Sequence, residues 1–299
     1  MTQTRTAFIA IVGCPNVGKS SILNRLLGQK VAVVSPKPQT TRTKIMGVLT
    51  EDEVQLVFTD TPGFHRPRTK LGEKMIKAVS DSISGVDACL FVVEPSGELR
   101  DAEKDLLKKF KDEKMPVILA INKIDSVKQK ELLIERMAQF SALYDFEAIV
   151  PCSALKGDGF GDLKDELFKQ AQPSPHFFPD DTLTDQPERV LAAEIIREKL
   201  LNLLDDEVPH GVAVCIERMH EREDSNIPNN DATIYCERES HKGIIIGKKG
   251  EMLKKVSTKA REDMERFFMC KINLHCWVKV KEGWRNREGL IHNFGLDNE

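Results

Sequence analysis

The octapeptide Gly13-Cys14-Pro15-Asn16-Val17-Gly18-Lys19-Ser20 matches the pattern GxxxxGK[ST]. It follows an apolar run, residues 8–12, that reads as a buried strand. Ser20 and Ser21 open an amphipathic stretch, residues 20–27, that reads as a helix. In a strand–loop–helix setting the two glycines let the backbone curl, so that successive N–H groups converge on a phosphate at the helix N-terminus. Lys19 is then placed to reach the outer phosphate oxygens, and the Ser20 hydroxyl to ligate Mg2+.

The surrounding sequence has the rhythm such a loop needs. Residues 54–59, 88–93, 117–121 and 148–150 are further short apolar runs, and Leu99, Ala102, Leu106, Leu107 and Phe110 recur at helical spacing between two of them. Strands alternating with helices predict an α/β P-loop domain, with a mostly parallel sheet and helices on both faces. Residues 45–49 are expected to pair antiparallel with 54–59 across the acidic turn 51–53.

Three more motifs stand after predicted strands. Asp60-Thr61-Pro62-Gly63 follows the strand at 54–59, where a carboxylate can hold Mg2+ through water and the Gly63 N–H can meet a γ-phosphate. Asn122-Lys123-Ile124-Asp125 follows the strand at 117–121; Asp125 can accept from N1–H and the 2-amino group of guanine, which adenine lacks. Ser153-Ala154-Leu155, after the last strand, offers a backbone N–H to guanine O6. Ligands bind outside the carboxyl ends of strands in open α/β sheets, so the order of the four motifs points to GTP and GDP with Mg2+.

In that order the motifs resemble the GTPase superfamily. Residues 35–43, polar and aperiodic, lie where a loop ordered by γ-phosphate and Mg2+ is expected. Thr41 is favoured over Thr40 to complete the metal shell with Ser20 and Asp60, and Lys19, Thr41 and Gly63 are the candidate hydrolytic residues. Phe64 occupies the place where Ras-like GTPases carry a water-orienting glutamine, as in translation-factor-class GTPases, which predicts slow intrinsic turnover. Asn16 matches the position that helps bind a monovalent cation in potassium-activated relatives, which makes K+ a further candidate.

The second half changes character. Residues 172–179 hold three prolines and no helical period, and read as a linker. Pro187 is expected as the first residue of an apolar helix. Strands follow at 212–216 and 232–237, joined by a polar loop at 220–231, and a last alternating strand runs over 272–280. Between these strands lies Gly247-Lys248-Lys249-Gly250, opening a helix that carries Lys254, Leu253 and Val256. The two glycines allow close approach to a nucleic-acid backbone, and the lysines meet its phosphates. Trp277 and Trp284 are candidate base-stacking residues. This α-β-β-α-α-β succession resembles a KH domain of the bacterial arrangement.

With both halves read, the chain resembles the Era family, bacterial GTPases with a C-terminal KH domain. The matching segments are PNVGKSS, SPKPQTTR, DTPGFH, NKID, SAL and IIIGKKGEMLK, with Pro38-Gln39-Thr40-Thr41-Arg42 the most diagnostic. The resemblance implies binding of small-subunit ribosomal RNA near its 3′ end, a role in small ribosomal subunit assembly, and loose association with the inner membrane. Two alternatives stay open: an RNA-binding protein whose nucleotide site is structural, and a GTPase acting in tRNA modification. The expected division is 1–172 for GTP binding, 173–187 as linker and 188–299 for RNA binding, in a cytoplasmic monomer.

Composition agrees once it is resolved along the chain. Over 299 residues the net charge is −3, which alone argues against a nucleic-acid partner. Residues 238–288, however, hold 14 Lys/Arg against 7 Asp/Glu, a local balance of +7 that leaves −10 elsewhere. Basic residues confined to one segment are the electrostatic footprint of a polyanion partner. No apolar run reaches the length of a membrane span, and residues 1–7 are polar, so no secretory signal is expected. The seven cysteines are scattered without a CxxC pair, which predicts reduced thiols filling cores; Cys270, His275 and Cys276 match no common zinc spacing.

Overall fold

Parallel strands covered on both faces must be apolar throughout, and two of the runs meet that demand. β4 (Ala88–Val93) and β5 (Val117–Ile121) are buried along their whole length. The computed structural model of the chain describes residues 3–35, 37, 40–64, 69–205, 208–222 and 225–296, with backbone only at 221–222 and 225–226. Its larger sheet places β4 and β5 among β1 (Arg5–Gly13), β2 (Ile45–Glu51), β3 (Val54–Asp60) and β6 (Ala148–Pro151), in the order β2-β3-β1-β4-β5-β6. All neighbours run parallel except β2, which pairs antiparallel with β3 across a turn where Asp52 has a φ of +50°.

Helices cover both faces. On one, α2 (Lys70–Ile83), α3 (Asp101–Glu113) and α4 (Lys130–Ser141) bury Val79, Ile83, Leu106, Phe110 and Phe140 against Val12, Phe91 and Leu119. Phe91 meets Phe110 and Phe140 edge-on, at 5.5 and 5.9 Å between ring centroids. On the other face lie α1 (Lys19–Leu27) and α5 (Phe160–Lys169), burying Ile22, Leu23, Leu163 and Leu167. With both faces closed, the carboxyl edge of the strands is the open side of this unit.

The proline-rich stretch expected to be a linker is bonded along the sheet as far as Thr184. Gln172 and Pro173 (β7) pair antiparallel with Thr6 and Arg5. The Ser174 N–H donates to Thr4 O, and the Gln55 side chain accepts from the N–H groups of Phe177 and Phe178 at 2.8 and 3.0 Å. The strap then covers the open edge of β2: Val48 N–H donates to Leu183 O at 2.9 Å, and the Thr184 hydroxyl to Met46 O at 2.6 Å. Prolines erase the periodicity by which a strand is read, but they leave an extended backbone able to cap an exposed edge.

The chain divides into two compact units. Met1–Ala32, Thr41–Arg68 and Gly72–Asp185 form the first; Gln186–Glu299, with Val33–Thr40 and Thr69–Leu71, form the second. In the second, β8 (Ala213–Arg222) and β9 (Ser225–Cys236) are antiparallel, and β10 (Asn273–Val280) lies parallel on the far side of β9. Three helices, α6 (Glu188–Leu203), α7 (Glu239–Ile246) and α8 (Glu251–Phe268), pack on one face through Ile195, Leu200, Ile245, Val256, Ala260 and Met264. A short α9 (Glu288–Asn293) ends the described chain.

Three expectations change here. The polar loop at 220–231 is largely strand: β8 and β9 continue pairing past two register shifts, held by main-chain hydrogen bonds that need no apolar side chains. Pro187 precedes the helix, with ψ at 140°, instead of forming its first residue. Cys270 is exposed and fills no core, whereas Cys14, Cys89, Cys152 and Cys236 are buried.

Candidate functional site

All four nucleotide motifs emerge at the same open edge. Gly13 ends β1, Asp60 ends β3, Asn122 follows β5 and Ser153 follows β6 by two residues. At the N-terminus of α1, Gly18 adopts a left-handed conformation (φ +99°) and no side chain caps the first turn, so its N–H groups are available to an anion. A Cβ on Gly18 would sit 2.2 Å from the Asn122 side-chain nitrogen, so only glycine lets the guanine-side motif close on the loop. A Cβ on Gly63 would stand 2.7 Å from Pro15 Cα.

Lys19 is buried, its Nζ donating to the carbonyls of Gly13 and Cys14 at 3.2 and 3.1 Å. Burial pulls its pKa down, opposed by the nearby Asp60 carboxylate. Around Asp60 three oxygens converge. The Ser20 hydroxyl donates to Asp60 Oδ2 at 2.6 Å, the Thr41 hydroxyl to the same atom at 3.3 Å, and the two hydroxyls stand 2.9 Å apart. The Thr40 hydroxyl donates to Lys37 O at 2.6 Å. Asp60 is fully buried, and burial raises its pKa to about 6 against the pull of Lys19, Ser20, Thr41 and the Thr61 N–H. Its Oδ1 has no hydrogen-bond partner among the described residues.

This donor set suits Mg2+: hard oxygens, one carboxylate, one buried oxygen without a partner, and a lysine beside it. Among the described residues no cluster of three or more His, Cys, Asp or Glu would hold a metal through protein alone, so phosphate and water would complete such a shell. The Thr61 hydroxyl donates to Ile11 O and locks the end of β3 to β1. The Phe64 side chain is partly buried against the α2–α3–α4 core. Pro36, Pro38, Gln39 and His65 lie outside the described residues.

On the guanine side, Asn122 is buried and bridges two segments. Its Nδ2 donates to Val17 O at 2.8 Å, and its Oδ1 accepts the Ala154 N–H at 3.0 Å. That second bond fixes Ser153-Ala154-Leu155 beside the Asn122-Lys123-Ile124-Asp125 loop. The Ser153 hydroxyl donates to Asp125 Oδ1, aiming an otherwise exposed carboxylate, while Leu155 is 75% exposed. Lys123, in a left-handed conformation at φ +68°, donates to the Asn16 carbonyl at 2.5 Å and to Glu94 at 2.8 Å. Sequence reasoning missed Glu94; the available signal was a lone acid immediately after the wholly apolar run at 88–93.

In the second unit, Gly247, Lys248, Lys249 and Gly250 form the tight turn between α7 and α8. Gly247 has φ +72°, and a Cβ there would stand 2.7 Å from that of Met252. Lys248, Lys249 and Lys254 are exposed and share this end of α8 with the half-exposed Ile244. The tryptophans separate. Trp277, on β10, is 49% exposed, but Trp284 is fully buried with its indole N–H on Gly211 O at 2.9 Å, and is a packing anchor unable to stack on a base.

Residues 8–123 match the family described as 50S ribosome-binding GTPase, and residues 207–285 match the KH domain. The chain is 48% identical to GTPase Era of Clostridioides difficile, over 99% of both chains, and 49% identical to that of Ruminiclostridium cellulolyticum over 97% of both. The chain belongs to the Era GTPases. Among solved structures of the family, an Aquifex aeolicus Era variant bound to GDP·AlF4− superposes with a TM-score of 0.95 at 36% identity, covering 98% of this chain and all of that one. Era in complex with MgGDPNP and nucleotides 1506–1542 of 16S ribosomal RNA gives 0.93 at 37% identity, over 98% and 99%. Among the described residues no helix is long and apolar enough to cross a membrane.

Proposed function

We propose that the chain cycles between GTP and GDP in residues 1–172 and binds small-subunit ribosomal RNA near its 3′ end through residues 188–299, with 173–187 connecting them, and so assists assembly of the small ribosomal subunit. The observation that carries this reading is the meeting of the Lys19, Asp60, Asn122 and Asp125 motifs at one strand edge, in a chain whose Era relative holds 16S nucleotides 1506–1542. The description matching residues 8–123 names the 50S ribosome. It covers only the nucleotide-binding part, whereas the 16S complex involves a relative aligned along nearly the whole chain, so the small subunit is favoured.

In this reading Lys19 leaves the Gly13 and Cys14 carbonyls to meet the β- and γ-phosphate oxygens, where it offsets charge that grows as the bond to the leaving group breaks. Ser20, Thr41 and Asp60 hold Mg2+, which when bound neutralises the phosphate oxygens and orients them. Gly13, Cys14, Pro15, Asn16, Val17, Gly18 and Ser21 form the phosphate cradle, with Thr61, Pro62 and Gly63 on its γ side. Asn122 ties the cradle to the base-reading loop, and Asp125 accepts the guanine N–H groups. Phe64, turned into the core, supplies no base for the attacking water, so turnover without a partner is slow. Asn16 supports a role for K+: faster turnover in potassium than in sodium is expected, and equal rates would exclude it.

Gly247, Lys248, Lys249, Gly250 and Lys254 are assigned to the RNA backbone. We place the protein in the cytoplasm as a monomer, with weak contact to the inner membrane face. Crosslinking it to cellular RNA and sequencing the bound fragments tests the assignment. Enrichment of 16S 3′-end fragments is expected; enrichment of tRNA or messenger RNA alone would overturn it.

A further inference from the structure

None of these roles uses the carboxylate of Glu94, which stands directly after β4 at the open strand edge. Glu94 Oε1 accepts Lys123 Nζ at 2.8 Å, and its Oε2 accepts the Arg100 guanidinium. Lys123 reaches onward to the phosphate loop, donating to the carbonyl of Asn16. Arg100, at the start of α3, holds the other carboxylate oxygen and so fixes the acid that Lys123 pairs with.

The cluster is itself held in place. The Glu94 carbonyl accepts Arg136 Nε at 3.3 Å. Arg136, 5% exposed, also donates to Gly97 O and to Gln139 at 2.9 and 2.8 Å, and pairs with Glu103 at 3.5 Å. Glu103 accepts the Arg100 main-chain N–H at 2.9 Å and so fixes that residue at the start of α3. The segments being braced need it: Asn16 and Lys123, neither a glycine, have φ of +64° and +68°, a region that side chains disfavour.

We propose that Glu94 is a positioning residue for guanine nucleotide binding: held by Arg100, it orients Lys123, which joins the phosphate loop to the base-reading loop, and so slows nucleotide release. This rests on the reading of that edge as a guanine nucleotide site. The side chains of Glu94, Lys123 and Arg100 are 27%, 39% and 45% exposed, and ion pairs this open add little to global stability. Their effect therefore falls on the loops. The set braces the phosphate loop and the base-reading loop, which GDP and GTP engage alike, so both nucleotides are retained by the same device.

Release of fluorescent GDP, and of a fluorescent non-hydrolysable GTP analogue, from the full-length chain tests the proposal. Glu94→Gln is expected to speed release of both by the same factor, about five- to twentyfold, with the melting temperature of the nucleotide-free protein unchanged. In an Arg100→Gln, Lys123→Met background, adding Glu94→Gln is expected to change release by less than about twofold, since the carboxylate then has nothing to hold. Unchanged release from the single variant overturns the proposal, as does a full effect persisting in that background. A Glu94→Gln chain that fails to fold also overturns it, because the acid would then be holding the fold. An unsubstituted chain that binds adenine nucleotides as tightly overturns the guanine reading on which it depends.

Discussion

Lys19 bonded to the carbonyls of its own loop, and Asp60 bonded to Ser20 and Thr41, show one arrangement at residue scale: the groups proposed for phosphate and metal are each held by protein partners. Lys19→Ala is expected to lower GTP turnover by about 100-fold or more while RNA affinity stays intact, read by phosphate release and by RNA anisotropy on the same sample. If turnover survived, the chemistry would lie elsewhere; if RNA binding fell equally, the nucleotide site would be structural. In the proposed reading the Asp125 carboxylate accepts from two guanine donors, and Asp125→Asn makes it an amide that can also donate. That variant is expected to lose at least about tenfold in GTP affinity and to gain affinity for XTP, whose C2 carries an oxygen, in a competition assay. These residues were legible because each stands at a fixed offset from a strand end. The contact of Thr41 with Asp60 joins segments that spacing alone does not bring together, and Glu94 went unread because its partners lie in three separate segments.

At the scale of elements, strands β4 and β5 were legible to the residue, since a strand buried on both faces has no alternative composition. The strap was not, and it carries its own titration. His176 Nδ1 lies 2.7 Å from Asp180, and its Nε2 lies 3.1 Å from Glu53 O, so the protonated ring can donate to both. The bond to Asp180 raises the His176 pKa, with burial opposing. A histidine raised on folding adds stability below its unfolded value of about 6.5 and loses it as pH rises through the folded value. Thermal unfolding should therefore show the stability difference between the unsubstituted chain and His176→Gln as largest near about pH 5.5 and fading above about pH 7.5. The Gly247 turn is a second element whose geometry was foreseen. Gly247→Val forces a Cβ into Met252 and is expected to weaken RNA binding about tenfold or more without altering GDP affinity.

For the whole molecule, the net charge of −3 says little, because the +7 of residues 238–288 is offset by −10 over the rest of the chain, most of it within the remainder of residues 188–299. RNA affinity should fall steeply with salt, and replacing Lys248, Lys249 or Lys254 by alanine should each reduce the slope of log affinity against log salt by up to about one. Linkage adds a symmetrical expectation: whatever factor separates RNA affinity in the GTP-analogue and GDP forms must also separate the affinities of the two nucleotides with and without RNA. Titrating 16S 3′-end RNA into both forms measures it, and identical affinities would mean that nucleotide state is not passed to the RNA.

The placement of the aromatic residues makes the second unit visible on its own. The chain has two tryptophans, one sealed in the interior at Trp284 and one at the sheet surface at Trp277, and residues 1–185 have none. Intrinsic indole fluorescence therefore comes from one half of the protein, with a blue, unquenchable component and a red component open to acrylamide. A urea titration followed by that emission reports the melting of the RNA-binding half alone, and a labelled nucleotide reports the other. The wild-type chain thus carries an optical label on one of its two working parts without any engineering.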